Sequence, residues 1–190
     1  MLESKIKQVE SVFETLDNEI AQFQQASFLH CKVGCGKCCF KPDIEATILE
    51  FLPFAYHLYK TNQANIWYEN LQTTESTLCL ILNPSQSGAG LCSQYKYRGM
   101  ICRLFGYSAR TNKYNQKELI TCQIIKSEQA SDYEVAESAV NQNMPVPVMS
   151  NYYMQLRNID PTLATNFLPI NQAIKGALET VLSYFAYRQE

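Results

Sequence analysis

The sequence predicts a mainly α-helical protein in which N- and C-terminal helices flank a cysteine-rich, loop-rich centre. Apolar residues recur at helical spacing near both ends of the chain. Four of the eight cysteines fall within nine residues, and Gly, Pro, Asn and Ser interrupt the region after them. We therefore divide the chain into an amphipathic helix at 1–28, a cysteine-cluster region at 29–126 and a helical region at 127–190, packed as one compact domain.

The N-terminal helix is predicted from a regular apolar stripe. Its members recur at alternating steps of four and three residues, which places them on one helix face: Leu2, Ile6, Val9, Phe13, Leu16, Ile20 and Phe23. This stripe predicts a helix packed on the rest of the fold. The alternative is a short coiled coil with a protein partner.

The remaining elements are predicted from caps, breakers and apolar spacing. Asp43 is predicted to cap a helix that Pro53 kinks or ends, and another helix follows over 65–78. Residues 83–90 have loop composition, and 101–107 and 118–125 are predicted to be extended. The last three predicted helices cover 132–143, 151–157 and 171–187.

Composition excludes several classes of function. The net charge is −2 and the chain has no long basic run, so nucleic acid is not expected as a ligand. The uncharged stretches are too short and too polar to span a membrane, and the first thirty residues lack the apolar core of a signal peptide. We predict a cytoplasmic protein with reduced thiols. Charged residues make up only 18%, which favours a surface partly covered by a protein partner.

The cysteines admit three interpretations. Disulfides suit secreted proteins, and the adjacent Cys38 and Cys39 cannot bond to each other without strain. Buried free thiols explain one or two cysteines but not four within nine residues. Metal ligation explains the whole set, because soft thiolates favour zinc, copper(I) or iron–sulfur clusters. The centre is therefore predicted to bind metal.

The cysteine count allows more than one kind of metal site. Four thiolates close a structural zinc site, and four thiolates also hold an iron–sulfur cluster. Eight cysteines supply two such sites, or one cluster with spare ligands. In order of expectation, the candidate metal ligands are Cys35, Cys38, Cys39, Cys92 and Cys102, then Cys79 and Cys122, then Cys31.

Two segments resemble a known family, the YkgJ-like cysteine-cluster or CxxCxxCC proteins. The run Cys35-Gly36-Lys37-Cys38-Cys39 is similar to the family core. The family's later pattern, Cys-x-x-Tyr-x-x-Arg-Pro-x-x-Cys-Arg-x-Phe-Pro, has six identities here: Cys92, Tyr95, Arg98, Cys102, Arg103 and Phe105. Cys31 stands one residue farther from the core than usual, and glycine replaces both family prolines, at Gly99 and Gly106.

The resemblance implies chelation of zinc or iron without an assigned reaction. Arg98 and Arg103 are expected to offset thiolate charge beside the metal, and Tyr95 to hydrogen-bond a sulfur or to pack. Two hypotheses follow. The site is a structural metal centre in a binding protein, or it serves a metal- or iron–sulfur-dependent enzyme with redox or methyltransferase-related chemistry.

Overall fold

The protein is described by a computed structural model over residues 1–32, 35–84 and 90–188. Helices predominate in this part of the chain, as predicted. The α-helices are α1 Leu2–Ser27, α2 Leu52–Lys60, α3 Ala64–Thr73, α4 Met100–Leu104, α5 Gln123–Glu128, α6 Ala130–Ala139, α7 Met149–Ile159, α8 Pro161–Thr165 and α9 Ile170–Ala186. The strands are β1 Glu45–Ala46, β2 Leu82–Pro84, β3 Gly90–Cys92, β4 Ser108–Thr111, β5 Lys117–Ile120 and β6 Leu168–Pro169.

Helix α1 confirms the predicted apolar stripe. The stripe residues are all buried, with Val9 and Leu16 fully inaccessible to solvent. Burial of this face is what stabilises the helix, because an isolated helix of this composition would be marginal in water. The helix therefore packs on the rest of the fold, which is the first of the two interpretations of the stripe.

The described chain divides into two compact units. The first unit takes its residues from 1–11, 35–99 and 156–188, and the second from 12–32 and 100–155. The boundary near the N-terminus falls inside α1, after Ser11. Residues that are distant in sequence thus form the first unit.

The first unit is built on three mutually packed helices, α2, α3 and α9. Their contact faces are fully buried at Leu52, Leu58, Ile174 and Leu178. The short strands β1 and β6 pair antiparallel, with Ala46 opposite Leu168. This pairing joins the chain just after the cysteine cluster to the start of α9.

The second unit has its own apolar core around the β4–β5 hairpin, in which Ala109 lies opposite Leu119. The core residues are Phe23, Leu29, Ala109, Leu119, Ile125, Ala136 and Val140. Gly106 enters this hairpin with a φ of 100° and donates its N–H to the Ile120 carbonyl at 2.9 Å. Proline has neither that φ nor an N–H, so glycine at this position marks a turn different from the family's proline turn.

Several local predictions are wrong, at least in part. The helix predicted over 65–78 ends at Thr73, and the stretch 118–125, predicted to be extended, is a strand only to Ile120 and enters α5 at Gln123. The helix predicted to start at Asp43 begins only at Leu52, after a 3-10 turn at Leu49–Phe51, and Pro53 lies in its first turn. Proline is compatible with a first turn because the N–H it lacks would have no partner there. Residues 101–107, predicted to be extended, include most of α4. The predicted 83–90 loop connects β2 and β3, and its residues 85–89 lie outside the described residues.

Within the described residues, no helix combines the length and the apolar character that crossing a bilayer requires.

Candidate metal centre

The cysteine cluster lies on a tight backbone turn. Gly36 has a left-handed φ of 56° and precedes a 3-10 turn at Lys37–Phe40. The Cys39 N–H donates to the Gly36 carbonyl at 2.9 Å, which closes this turn. Because glycine reaches this φ without strain, Gly36 explains why the chain reverses here. Gly34, the other glycine between Cys31 and Cys39, lies outside the described residues.

The turn brings two sulfurs together at the surface. The Sγ atoms of Cys38 and Cys39 are 4.0 Å apart. Cys38 is exposed, whereas Cys39 and Cys35 are half-buried. Within the described residues, no cysteine is joined in a disulfide. This arrangement offers soft donor atoms to a metal ion from solution.

A β-hairpin carries two further cysteines of the first unit. Strands β2 and β3 pair antiparallel with Leu82 opposite Cys92. Cys79 precedes β2, and its carbonyl accepts the Leu82 N–H at 3.0 Å. Strand β3 packs against the 3-10 turn that carries Cys38 and Cys39. The hairpin therefore places Cys92 toward the cluster.

The thiol pKa values reveal how these cysteines influence each other. A hydrogen bond from the Cys39 thiol, helped by the Arg98 charge, lowers the pKa of Cys38 to about 6. Burial raises the pKa of Cys92, and the nearby Cys38 charge raises it further. Burial likewise raises the pKa of Cys79 to about 11, with a contribution from Cys92. The first unit thus has one thiol with a lowered pKa, Cys38, and two half-buried thiols with raised pKa values, Cys92 and Cys79.

Arg98 is close enough to Cys38 and Cys92 to act on both. Its positive charge lowers the pKa of each thiol. The guanidinium carbon lies 4.1 Å from the centre of the exposed Tyr95 ring. The neighbouring Tyr97 ring stacks on His57 of α2 at 4.4 Å, which fixes the 3-10 turn Tyr95–Tyr97 just before Arg98. A cation held here offsets thiolate charge, as expected of Arg98 from the sequence. Tyr95 contacts this cation by its ring face.

Glu50 is a polar residue near this centre that sequence reasoning missed. Its side chain is fully buried and accepts hydrogen bonds from the Thr47 N–H at 2.8 Å and the Thr47 hydroxyl at 3.1 Å. No local sequence pattern indicates that Glu50 is buried, because glutamate in a first helical turn is normally exposed.

The other candidate residues belong to the second unit. Cys31 is exposed, and Cys102 is half-buried in α4. The Cys122 sulfur accepts the Ile125 N–H at 3.4 Å, which caps α5, and the side chain packs against the second core. Arg103 is buried, pairs with Asp17 and lies over the Phe13 ring. The ligand roles of these three cysteines stay predictions.

The described cysteines do not form a ready-made ligand set. Among residues 1–32, 35–84 and 90–188, no three His, Cys, Asp or Glu side chains stand where one ion would contact them all.

Clustered soft donors and a nearby cation on a helical scaffold define a thiol-rich domain suited to soft metal ions. In agreement, residues 30–123 match the CxxCxxCC family model, described as "Putative zinc- or iron-chelating domain". The match spans just under half of the chain and includes all eight cysteines. The predicted similarity to the CxxCxxCC pattern is thereby found again as a match over residues 30–123. No curated protein and no solved structure matches the chain significantly.

Proposed function

We propose that this protein binds zinc or iron through the cysteines of its first unit, as a YkgJ-like metal-binding protein of the cytoplasm. The proposed ligands are Cys35, Cys38, Cys39, Cys79 and Cys92. The observation that supports the proposal is geometric: the Sγ atoms of Cys38 and Cys39 lie 4.0 Å apart on a 3-10 turn, and strand β3, which ends at Cys92, packs against that turn.

The chemistry of these thiols suits a soft ion. Cys38 supplies a thiolate near neutral pH, and a cation bound there would displace the protons of Cys79 and Cys92. Arg98 would offset part of the negative charge that three or four thiolates gather, while Tyr95 packs against the guanidinium. When bound, zinc would supply structural cross-linking, whereas an iron–sulfur cluster would supply electron transfer.

The first test is metal analysis with an optical spectrum on protein purified without oxygen. One or two zinc ions per chain without visible absorption would support a structural site. Iron with acid-labile sulfide and a visible band would support the iron–sulfur alternative and a redox or methyltransferase-related enzyme. Protein that holds neither metal, and takes up neither after reduction, would refute the proposal.

The second test distinguishes loss of a thiol ligand from general damage to the turn. Cys38→Ser should lower the bound metal, because serine is a poor ligand for soft ions. Lys37→Ser is the matched control, since Lys37 is an exposed residue of the same turn without a thiol. Equal loss of metal in both variants would point to damage to the turn rather than to loss of a ligand.

A further inference from the structure

The segment that carries Cys79 is held by a residue far away in sequence. Asn171, at the start of α9, donates its side-chain amide to the carbonyls of Ser76 at 3.1 Å and Leu78 at 2.8 Å. Its side-chain carbonyl accepts the N–H of Leu80 at 2.9 Å. Asn171 thus uses both its side-chain NH₂ group and its side-chain carbonyl to hydrogen-bond the backbone on both sides of Cys79.

The first turn of α9 is itself anchored beside the cysteine cluster. The Ile170 N–H donates to the Ile44 carbonyl at 2.9 Å, directly next to the β1–β6 pair. Strand β1 follows the Cys35–Cys39 turn by a few residues. One helix turn therefore contacts the backbone at Ile44 and the backbone around Cys79.

Short-range hydrogen bonds also shape the segment that precedes Cys79, but they do not connect it to α9. The Thr74 hydroxyl accepts the Ser76 N–H at 3.3 Å, and the Ser76 hydroxyl accepts the Leu78 N–H at 3.1 Å. These bonds span only two residues each, so they set the local curve of the chain. The position of that curve within the unit depends on contacts with distant residues such as Asn171.

We propose that Asn171 is a positioning residue for the Cys79 thiol in the metal centre. This inference rests on the proposed metal-binding function. Asn171 contacts the backbone of the neighbours of Cys79, and it acts by fixing the backbone from which the half-buried Cys79 thiol projects. Residues that orient metal ligands in this indirect way typically change metal affinity about 10- to 100-fold when they are replaced. Asn171 lies outside the matched region 30–123, so the metal centre extends to the C-terminal helix.

The test compares metal affinity in four variants of the full chain. Zinc affinity of the reduced, metal-free protein is measured by competition with a chromophoric chelator. Asn171→Ala should weaken binding about 10- to 100-fold. The matched control, Gln172→Ala, removes the exposed amide next to it on the same helix and should leave affinity unchanged. In the Cys79→Ser background, Asn171→Ala should have no further effect, because the thiol through which it acts is absent.

A second readout does not depend on bound metal. The alkylation rate of each cysteine in the metal-free protein is followed by mass spectrometry. Asn171→Ala should speed alkylation of Cys79 severalfold and leave Cys38 unchanged, because only the Cys79 segment loses its anchor. Equal acceleration at both cysteines would indicate general unfolding and overturn the inference.

The outcomes separate this inference from the proposed function. If the wild type binds zinc and Asn171→Ala binds it equally well, the inference fails and the function stands. The inference also fails, and the function stands, if Asn171→Ala weakens zinc binding as much in the Cys79→Ser background as in the wild type. If the wild type binds neither zinc nor iron, the function fails, and positioning for metal fails with it.

Discussion

Adding one methyl group at Gly99 should destabilise the first unit. A Cβ at this position would lie 2.9 Å from Cζ of Phe51 and 3.0 Å from Oε2 of Glu50. Both neighbours are buried, with Phe51 at 1% and Glu50 at 0% exposure. A packed ring and a buried carboxylate cannot swing aside as an exposed side chain does, so the clash must be relieved by moving neighbouring atoms.

The size of the effect follows from two opposing contributions. Overpacking a well-filled core costs about 1–3 kcal/mol. Replacing glycine by alanine restricts the unfolded chain and returns about 0.4–1 kcal/mol. Gly99→Ala should therefore lower the free energy of unfolding by about 1–2 kcal/mol, which lowers Tm by about 2–8 °C in a chain of this size.

The assay is thermal and urea unfolding of the reduced protein in the presence of a chelator. Gly176→Ala is the matched control. Its Cβ would lie 2.8 Å from Cδ1 and 3.0 Å from Cγ1 of Ile48, a side chain that is only half-buried and is therefore less confined than Phe51 and Glu50. That chain can rotate away, and alanine is favoured over glycine within α9 by about 1 kcal/mol. Gly176→Ala should therefore be nearly neutral or slightly stabilising.

A double substitution decides whether the ring causes the loss. Phe51→Leu removes the atoms nearest to the new Cβ, so Gly99→Ala should be less harmful in that background than in the wild type. Purely additive effects of Gly99→Ala and Phe51→Leu would refute the steric reasoning. Wild-type stability in Gly99→Ala would refute it as well.

Three further predictions concern backbone, charge and ion pairing. Gly106→Pro should destabilise the protein by about 3 kcal/mol or more in urea unfolding, since proline lacks the required φ and N–H; a neutral result would contradict the turn described above. Asp160 caps α8 and pairs with Lys5 at 2.7 Å; Asp160→Ala should cost about 0.5–2 kcal/mol at neutral pH. Burial raises the pKa of Asp160, but Lys5 and the α8 amides outweigh burial and hold that pKa below its ordinary value. The ionised Asp160 carboxylate therefore stabilises the fold fully above about pH 4. This stabilisation is lost as the pH falls through the lowered pKa. Asp160→Asn keeps the cap and should abolish only this pH dependence, which urea unfolding at several pH values measures. Arg103→Met should lower stability by about 1–3 kcal/mol through loss of its charged hydrogen bond to Asp17, whereas Arg103→Lys should recover part of it; equal stability of both variants would contradict this.

The elements that were predicted well are those that sequence periodicity specifies. The stripe of α1 and the apolar spacing of α9 repeat over many helical turns, so the pattern stays recognisable even where single residues depart from it. The α6 prediction was close for the same reason, since 130–142 is helical where 132–143 was expected. The cysteine spacing likewise sufficed to predict the CxxCxxCC pattern that residues 30–123 match.

The elements that were missed depend on distant partners. Residues near Asp43 pair with β6, more than a hundred positions away, and two-residue strands leave no periodic pattern. Proline alone does not show whether Pro53 lies at the start or at the end of a helix, because proline both ends helices and occupies their first turns. Asn171 is one polar residue in a helix start, and only the fold shows that it reaches the Cys79 segment.

The position of α9 has a consequence for synthesis of the protein on the ribosome. The cysteines emerge well before residues 168–186, whereas α2 and α3 bury their faces against α9. A nascent chain cut at residue 123 would contain the whole CxxCxxCC match yet lack the helix on which that match packs. The thiols therefore spend the interval of translation in an unfinished fold, exposed to oxidants and to stray metal ions. Synthesis of α9 completes the surface against which α2 and α3 pack.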